Sequence, residues 1–396
     1  MKRGSELGCR PVLREHGIHD VEVEIKESRI TQCCSNDQDQ TECELSTAKL
    51  SPDIPNLQEE GYRRDSIQLS EFLGTKIASS RNPTREGTKG LYLRIRNTGT
   101  VVTLTCRHVI LGPEEENIDV CHDAHNSRDI IQPGNKTYQD TTYFLRNQLY
   151  QTQSAIDLGE SSTPVPERRI EYLRGSKARK ESSLQRREPF ESMESRTLGH
   201  VLLSPKFGLS CSSPARFRDW VLMELDQKKH QTLVKKLENK VPIELAAVLT
   251  HPQFMSERHS EQERERRYSM IPGIHSFTQT GKTVVDDDFM RVCMYGSASG
   301  ASHGVTNTAK SVVRRFVDGL LVVSEEWCIL GSIRHGARKN FSVQGDSGAS
   351  IMGDDGRVAA ILTCGAQGGN RGIHHILYAT PIEWLLEEIR GHGYDV

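Results

Sequence analysis

The 396-residue sequence has no run approaching the roughly 20 apolar residues that a helix needs to cross a bilayer. Its first residues, Met1-Lys2-Arg3-Gly4-Ser5-Glu6, lack the apolar stretch of a secretory leader. Net charge is almost absent: 51 basic against 53 acidic side chains leave −2, so no global field argues for nucleic acid or an anionic membrane as partner. The ten cysteines lack CxxC spacing and matched histidines, which excludes an evident zinc site. Their irregular spacing, without a leader, favours thiols over disulfides. No internal repeat recurs at a fixed period. These absences together predict a soluble chain, cytoplasmic or nuclear, with no metal, no organic cofactor, and no nucleic-acid or membrane partner.

What is present is an apolar fraction of 35% beside a charged fraction of 26%, which predicts a folded core interrupted by polar insertions. The length suffices for one large domain or two ordinary ones. Residues 1–68 form a small N-terminal segment. A short helix is predicted at residues 12–16 and a strand at residues 21–25 (V-E-V-E-I), followed by a polar linker containing Pro52 and Pro55. This segment is either the remnant of a larger domain or a strand that adds to the main body.

From residue 69 the texture is β. Strands are predicted at residues 74–78, 90–96 and 101–109, the last two forming a hairpin about Asn97-Thr98-Gly99 with its second strand ending at His108. A polar, partly helical insertion covers about 112–196, with residues 181–196 as its helix. Strands at 197–204 and 217–225 follow. A second insertion, about 226–285, holds an amphipathic helix at 228–238 and a solvated charge run at 257–267. Further strands are expected at 290–295, 300–306, 311–316, 320–323, 327–330, 358–364 and 376–380. A terminal helix at 384–389 follows Pro381, which suits a first-turn position. Many short strands, Gly-rich turns and a late helix predict a mainly β, antiparallel barrel domain over residues 69–396.

The chemistry centres on Gly345-Asp346-Ser347-Gly348. A tight turn of this kind lifts one hydroxyl clear of the backbone and aims neighbouring N–H groups at one point, although Gly, Asp and Ser are also ordinary turn residues. A serine hydroxyl needs a base within hydrogen-bond reach and a third group fixing that base. The elbow G-x-S-x-G fails because Ala349 stands two residues after Ser347, which sets aside an esterase of the α/β-hydrolase kind. The order His, Asp, Ser is supplied instead by His108 at the end of L-T-C-R-H, Asp219 before W-V-L, and Ser347.

At these three places the sequence resembles the trypsin-like, chymotrypsin-fold serine peptidases, and more closely the intracellular trypsin-like proteins predicted in filamentous fungi. The resemblance covers roughly residues 70–390. It implies a two-barrel antiparallel fold and peptide-bond hydrolysis on a protein or peptide substrate. Ser347 would be the nucleophile, His108 the base and Asp219 its orienter, with backbone N–H groups of Gly345 and Ser347 as the oxyanion hole. It places Phe341 at the base of the substrate pocket, Thr363 and Gly365 on its wall strand and Ile376 on its far wall. With no carboxylate among these, cleavage after small or medium apolar residues is expected. Two features depart from the pattern: Cys106-Arg107 replaces the usual small residues before the histidine, and the spacings between the three residues are long. The alternative is a catalytically inactive member that keeps the fold as a protein-interaction module.

Overall fold

The computed structural model describes residues 29–32, 48–53, 66–161, 166–211, 215–241, 275–277, 290–307, 310–331, 333–334, 337–338, 341–353, 357–367 and 376–396. The helix expected at 12–16, the strand at 21–25 and the charge run at 257–267 lie outside these residues.

The first strand is β1 (Arg29–Gln32). The first half of the chain then supplies β2 (Lys76–Ser79), β3 (Asn82–Thr88), β4 (Leu91–Arg94), β5 (Val101–Thr105), β6 (Val120–Cys121), β7 (Asp129–Ile131), β8 (Thr197–Ser204), β9 (Gly208–Leu209), β10 (Phe217–Arg218) and β11 (Val221–Leu225). Short pieces β12 (Asn239–Val241) and β13 (His275–Phe277) pair with each other. The last third supplies β14 (Arg291–Gly296), β15 (Gly300–Thr306), β16 (Ser311–Val317), β17 (Leu320–Gly331), β18 (Ile333–Arg334), β19 (Ala337–Arg338), β20 (Ser350–Gly353), β21 (Val358–Gln367) and β22 (Ile376–Pro381). Helices are α1 (Arg107–Ile110), α2 (Asn135–Ser161), α3 (Glu167–Arg187), α4 (Met193–Arg196) and α5 (Ile382–Gly391). None is long and apolar enough to cross a membrane.

The fold is mainly β, in two eight-stranded sheets whose pairings are antiparallel throughout. The first runs β3-β2-β7-β8-β11-β5-β4, with β6 on β8. The second follows β21-β20-β14-β15-β17 and returns through β22, which pairs with both β17 and β21, so six strands close into a barrel. Closure removes the exposed edges an open sheet would carry. Two strands hang outside this ring: β16 on β17, and β1 on β21.

The sheets pack around two main cores, and the second sheet contributes to both: Cys293, Tyr295, Met352 and Ile361 belong to the first, and their neighbours Met294, Ile351 and Leu362 to the second. Leu91, Val102, Leu104, Trp220 and Leu222 also lie in the first core, and Trp327 and Ile329 in the second. Helix α5 is strongly amphipathic and buries Ile382, Leu385, Leu386 and Ile389 in the first core. Each such side chain contributes about 1.5–3 kcal/mol. The β16–β17 hairpin turns at Asp318 and Gly319, both with positive φ, as a two-residue turn between right-twisted strands requires.

Several local expectations are corrected. The strand ending at His108 stops at Thr105, and His108 lies in the single turn α1. The alternation V-V-T-L-T breaks at Cys106-Arg107, where the chain must turn. The strand over 217–225 is two pieces, with Asp219 and Trp220 in the break. The amphipathic helix at 228–238 is replaced by two 3-10 turns, Gln227–Lys229 and Val234–Lys236. The strands at 320–323 and 327–330 are one twelve-residue strand, β17; Glu325-Glu326 reads as a break only because Glu326 is buried against an arginine. The insertion region holds the long pair α2 and α3, with β7 ahead of it as a member of the first sheet.

Candidate active site

His108 is carried by one turn of helix, too short to hold itself. Its neighbour Arg107 fixes it. The buried guanidinium donates to the Ser204 carbonyl and hydroxyl, at 3.2 and 3.0 Å, and to the carbonyls of Pro205 and Ile118, each at 3.0 Å. It also lies over the Phe207 ring. Burial lowers its pKa to about 10, which still leaves it charged at neutral pH.

Asp219 sits in the gap between β10 and β11. Its flanks are tied to α5: Arg218 pairs with Glu388 at 3.2 Å, and Trp220 meets the His392 ring edge-on at 5.4 Å. The carboxylate thus has little freedom, and both its oxygens face His108. Oδ1 accepts the His108 backbone N–H at 3.0 Å, and Oδ2 lies 2.6 Å from Nδ1. Burial alone would raise the Asp219 pKa. The His108 charge, both hydrogen bonds from that residue and the more remote Arg315 outweigh it and hold the pKa below the ordinary carboxylate value. An ionised Asp219 keeps the imidazole proton on Nδ1 and leaves Nε2 basic.

Ser347 comes from the second sheet, in the turn before β20. Gly345 and Gly348 have φ of +105° and +93°. A Cβ on Gly348 would lie 2.1 Å from Thr105 Oγ1 and 2.4 Å from the Thr88 carbonyl, so only glycine fits where this turn presses on the first sheet. Thr88 N–H donates to the Ser347 carbonyl at 2.8 Å, and the hydroxyls of Thr88 and Ser297 donate to the Gly345 carbonyl at 2.9 and 2.8 Å. Asp346 is fully buried and accepts backbone N–H groups of Val343, Ala298 and Ser299 at 2.8, 2.8 and 3.1 Å. Burial nonetheless raises its pKa above the ordinary value, against the effect of those amides.

The Ser347 hydroxyl donates to the Thr363 carbonyl at 2.9 Å. One residue earlier, the Leu362 carbonyl lies 3.2 Å from Cys106 Sγ. Donor atoms of Cys106, His108 and Asp219 fall within 4.8 Å of one another. Ser347 and Cys106, which lies two residues before His108, thus bond adjacent carbonyls of β21 from opposite sheets. A thiol, an imidazole and a carboxylate are a donor set that zinc accepts. Here the carboxylate holds the imidazole at Nδ1 and at the backbone N–H, and the thiol faces a carbonyl.

The four residues expected to line a substrate pocket are placed as follows. Phe341 is fully buried in the second core, where a Cβ on Gly304 would come within 2.8 Å of its ring. Thr363 is buried and donates to the Tyr378 carbonyl at 3.0 Å. Ile376 is half-buried against Val313, Cys364 and Tyr378. Gly365 pairs with Leu377 on one side and Thr31 on the other.

Beside this strand lies a group that the sequence reading missed. Arg315 donates to Glu326 at 2.7 Å, to Ser324 at 3.1 Å and to Cys364 Sγ at 3.1 Å, and covers the Phe217 ring at 4.5 Å. Burial raises the Cys364 thiol to about 11 and keeps it protonated. The alternation of S-V-V-R-R-F-V places Arg315 on the same face as buried Val313, a signal available in the sequence. Among the described residues no disulfide forms.

No family model matches the chain, and no curated protein matches it. Among solved structures it is similar to a glutamic acid specific serine protease described as using a novel histidine triad in substrate binding. The identity is 10%, over 81% of this chain and 97% of that one, with a TM-score of 0.38. It is also similar to a Cellulomonas bogoriensis chymotrypsin, at 16% identity over 50% of this chain and 80% of that one, with a TM-score of 0.26. The chemistry is read from the geometry of the site instead.

Proposed function

We propose that this chain is a trypsin-like serine endopeptidase. The observation that carries the reading is the two-point grip of Asp219 on His108, 2.6 Å at Nδ1 and 3.0 Å at the backbone N–H, beside the strand that receives the Ser347 hydroxyl. In the reaction the Ser347 hydroxyl leaves the Thr363 carbonyl and turns to His108 Nε2. Its oxygen attacks the substrate carbonyl while Nε2 takes its proton, and Asp219 stabilises the imidazolium. Backbone N–H groups of Gly345 and Ser347 hold the oxyanion. Collapse of the tetrahedral species returns the proton to the leaving amine. Water, deprotonated by His108, then releases the acyl group from Ser347. This route needs no cofactor. The substrate class is an extended protein or peptide, with small or medium apolar residues before the cleaved bond, because Phe341 and Ile376 offer no counter-charge. The intracellular, fungal setting belongs to the same proposal through the sequence resemblance.

A second reading is favoured by one observation: Ser347 and His108 are 0% and 1% exposed. A site that stayed closed would make this an inactive fold used for protein interaction. A fluorophosphonate probe separates the two, since only an activated serine reacts quickly. Labelling of the wild type and none of Ser347→Ala supports the peptidase. Absence of labelling in both, on folded protein in which the site is accessible, supports the interaction module. Profiling on a mixed peptide library then tests specificity, and dominant cleavage after Lys or Arg overturns the pocket assignment.

A further inference from the structure

One edge of β21 is divided among three occupants. Strand β20 pairs with its first part, Val358 to Ile361. The nucleophile turn takes the next: Gly348 N–H donates to the Leu362 carbonyl, Leu362 N–H to the Ala349 carbonyl, and the Ser347 hydroxyl to the Thr363 carbonyl. The last part, Cys364 to Gln367, is taken by β1, with Gln32 level with Cys364, Thr31 with Gly365, Ile30 with Ala366 and Arg29 with Gln367. The opposite edge of the same residues carries β22, and its register shifts between Leu362 and Cys364, at Thr363. The stretch that β1 covers therefore begins one residue beyond the carbonyl that receives the Ser347 hydroxyl.

The direction of β1 is informative. The pairing is antiparallel, so the chain runs toward Thr363 and Ser347 as its numbering rises. An extended peptide presenting a carbonyl to Ser347 from this edge would run the same way, with the residues on its amino side hydrogen-bonded to β21. Adding a strand to an exposed sheet edge is a general mode of peptide recognition, in which main-chain bonds supply affinity. We propose that β1 is an internal peptide ligand of the reactive site: it occupies the edge a substrate strand would use and holds the full chain self-inhibited until it is displaced. This deepens the peptidase reading and rests on it.

A four-residue strand binds weakly by itself, but tethering changes the balance. A segment on the same chain is present at an effective concentration of about 1 mM. With an intrinsic Kd of about 100 µM it would fill the edge about nine-tenths of the time, so removing it would speed reaction of Ser347 about tenfold.

The experiment uses the full chain carrying Ile30→Pro and Thr31→Pro. Adjacent strand residues alternate in which N–H faces a given neighbour, so one of the two prolines removes a donor to β21. A paired glycine variant, Ile30→Gly and Thr31→Gly, weakens the strand without removing an N–H and gives a smaller change in the same direction. Hydrogen exchange at residues 364–367 reads occupancy of the edge, and fluorophosphonate labelling reads access to Ser347. Faster exchange with labelling about ten times the wild-type rate, both reversed by a synthetic peptide of residues 27–36, supports the proposal. Unchanged exchange in both variants overturns it, because β1 then does not hold the edge. Faster exchange with labelling equal to wild type also overturns it, because the edge is then not on the substrate's path. Faster exchange with no labelling in any form refutes the peptidase reading, and the inhibition with it, while leaving the strand contact in place.

Discussion

Replacing Asp219 with asparagine probes the site at its most constrained point. The carboxylate accepts two hydrogen bonds from one residue, one at each oxygen. Asparagine has a single acceptor. If its oxygen keeps the His108 backbone N–H, its NH₂ faces Nδ1, which must then be unprotonated; the proton moves to Nε2 and the base is lost. If the oxygen turns to Nδ1, the NH₂ opposes a buried N–H. The first arrangement preserves both contacts and should dominate. The expected loss of peptide hydrolysis at pH 7 is about 10⁴-fold. Stability should fall by about 1–3 kcal/mol from the weakened buried pairing. The pH response changes as well. In the wild type the folded-state pKa of Asp219 is depressed, so its stabilisation is full above the unfolded value and is lost as pH falls through the folded one. The asparagine variant should lack this part of the acid sensitivity. Rates of fluorophosphonate labelling, denaturant titrations at several pH values and imidazole nitrogen shifts by NMR read these outcomes. An asparagine variant within about threefold of wild-type activity, well outside the expected 10⁴, would refute the assigned role.

Other expected outcomes follow from the same contacts. Gly348→Ala should cost about 2–4 kcal/mol, since it combines a φ of +93° with backbone and side-chain clashes, and thermal denaturation checks it. Arg107→Met should cost a similar amount, about 2–4 kcal/mol, by removing the hydrogen bonds that tie the His108 turn to Ser204, Pro205 and Ile118, and should slow Ser347 labelling; a variant labelled at the wild-type rate would remove Arg107 from the positioning of His108. Asp346→Asn must set an NH₂ against at least one of three backbone N–H donors, so stability and labelling should fall together. Lys89 is fully buried against Gln132, and burial lowers its pKa to about 7. The unfolded chain then binds more protons than the folded one between about pH 7 and about pH 10, so wild-type stability should rise with pH across that window. Lys89→Met should abolish the rise, as denaturant titration at pH 7, 8.5 and 10 would show.

Most strands of the second sheet were legible because each carries its own signal: in residues 300–306 and 311–316 alternation marks the two faces. The four-residue β20, directly after the Ser347 turn, is too short to carry one and was not expected. Asp219 was legible for a similar reason, as a carboxylate ahead of a wholly apolar run. The turn at His108 was not, because Cys106 and Arg107 do not announce a strand end; the turn exists only because Arg107 finds four acceptors on segments up to 98 residues away. Residues 228–238 have helical periodicity, yet no helix forms, since Thr232 N–H bonds Glu71 and Leu50 N–H bonds the Lys229 carbonyl instead. The partner of the N-terminal segment was left open, for register between residues more than 300 positions apart leaves no local trace. Phe341 stands six residues before Ser347, and its full burial in the second core is set by packing that this offset does not reveal.

The stitching of the Gly345–Gly348 turn to Thr88 and Thr105 has a consequence for the life of the chain. A polypeptide emerging in order exposes His108 and Asp219 long before residue 347 is made. When Ser347 does appear, its turn lacks the clamp from Thr88, and Gly348 lacks the surface it is shaped to meet, until the two halves dock. The conformation of this turn therefore depends on both halves being in place: it forms only once they dock and is lost if they part. On the peptidase reading, a half-made or half-melted chain would hold its serine out of register with the rest of the site.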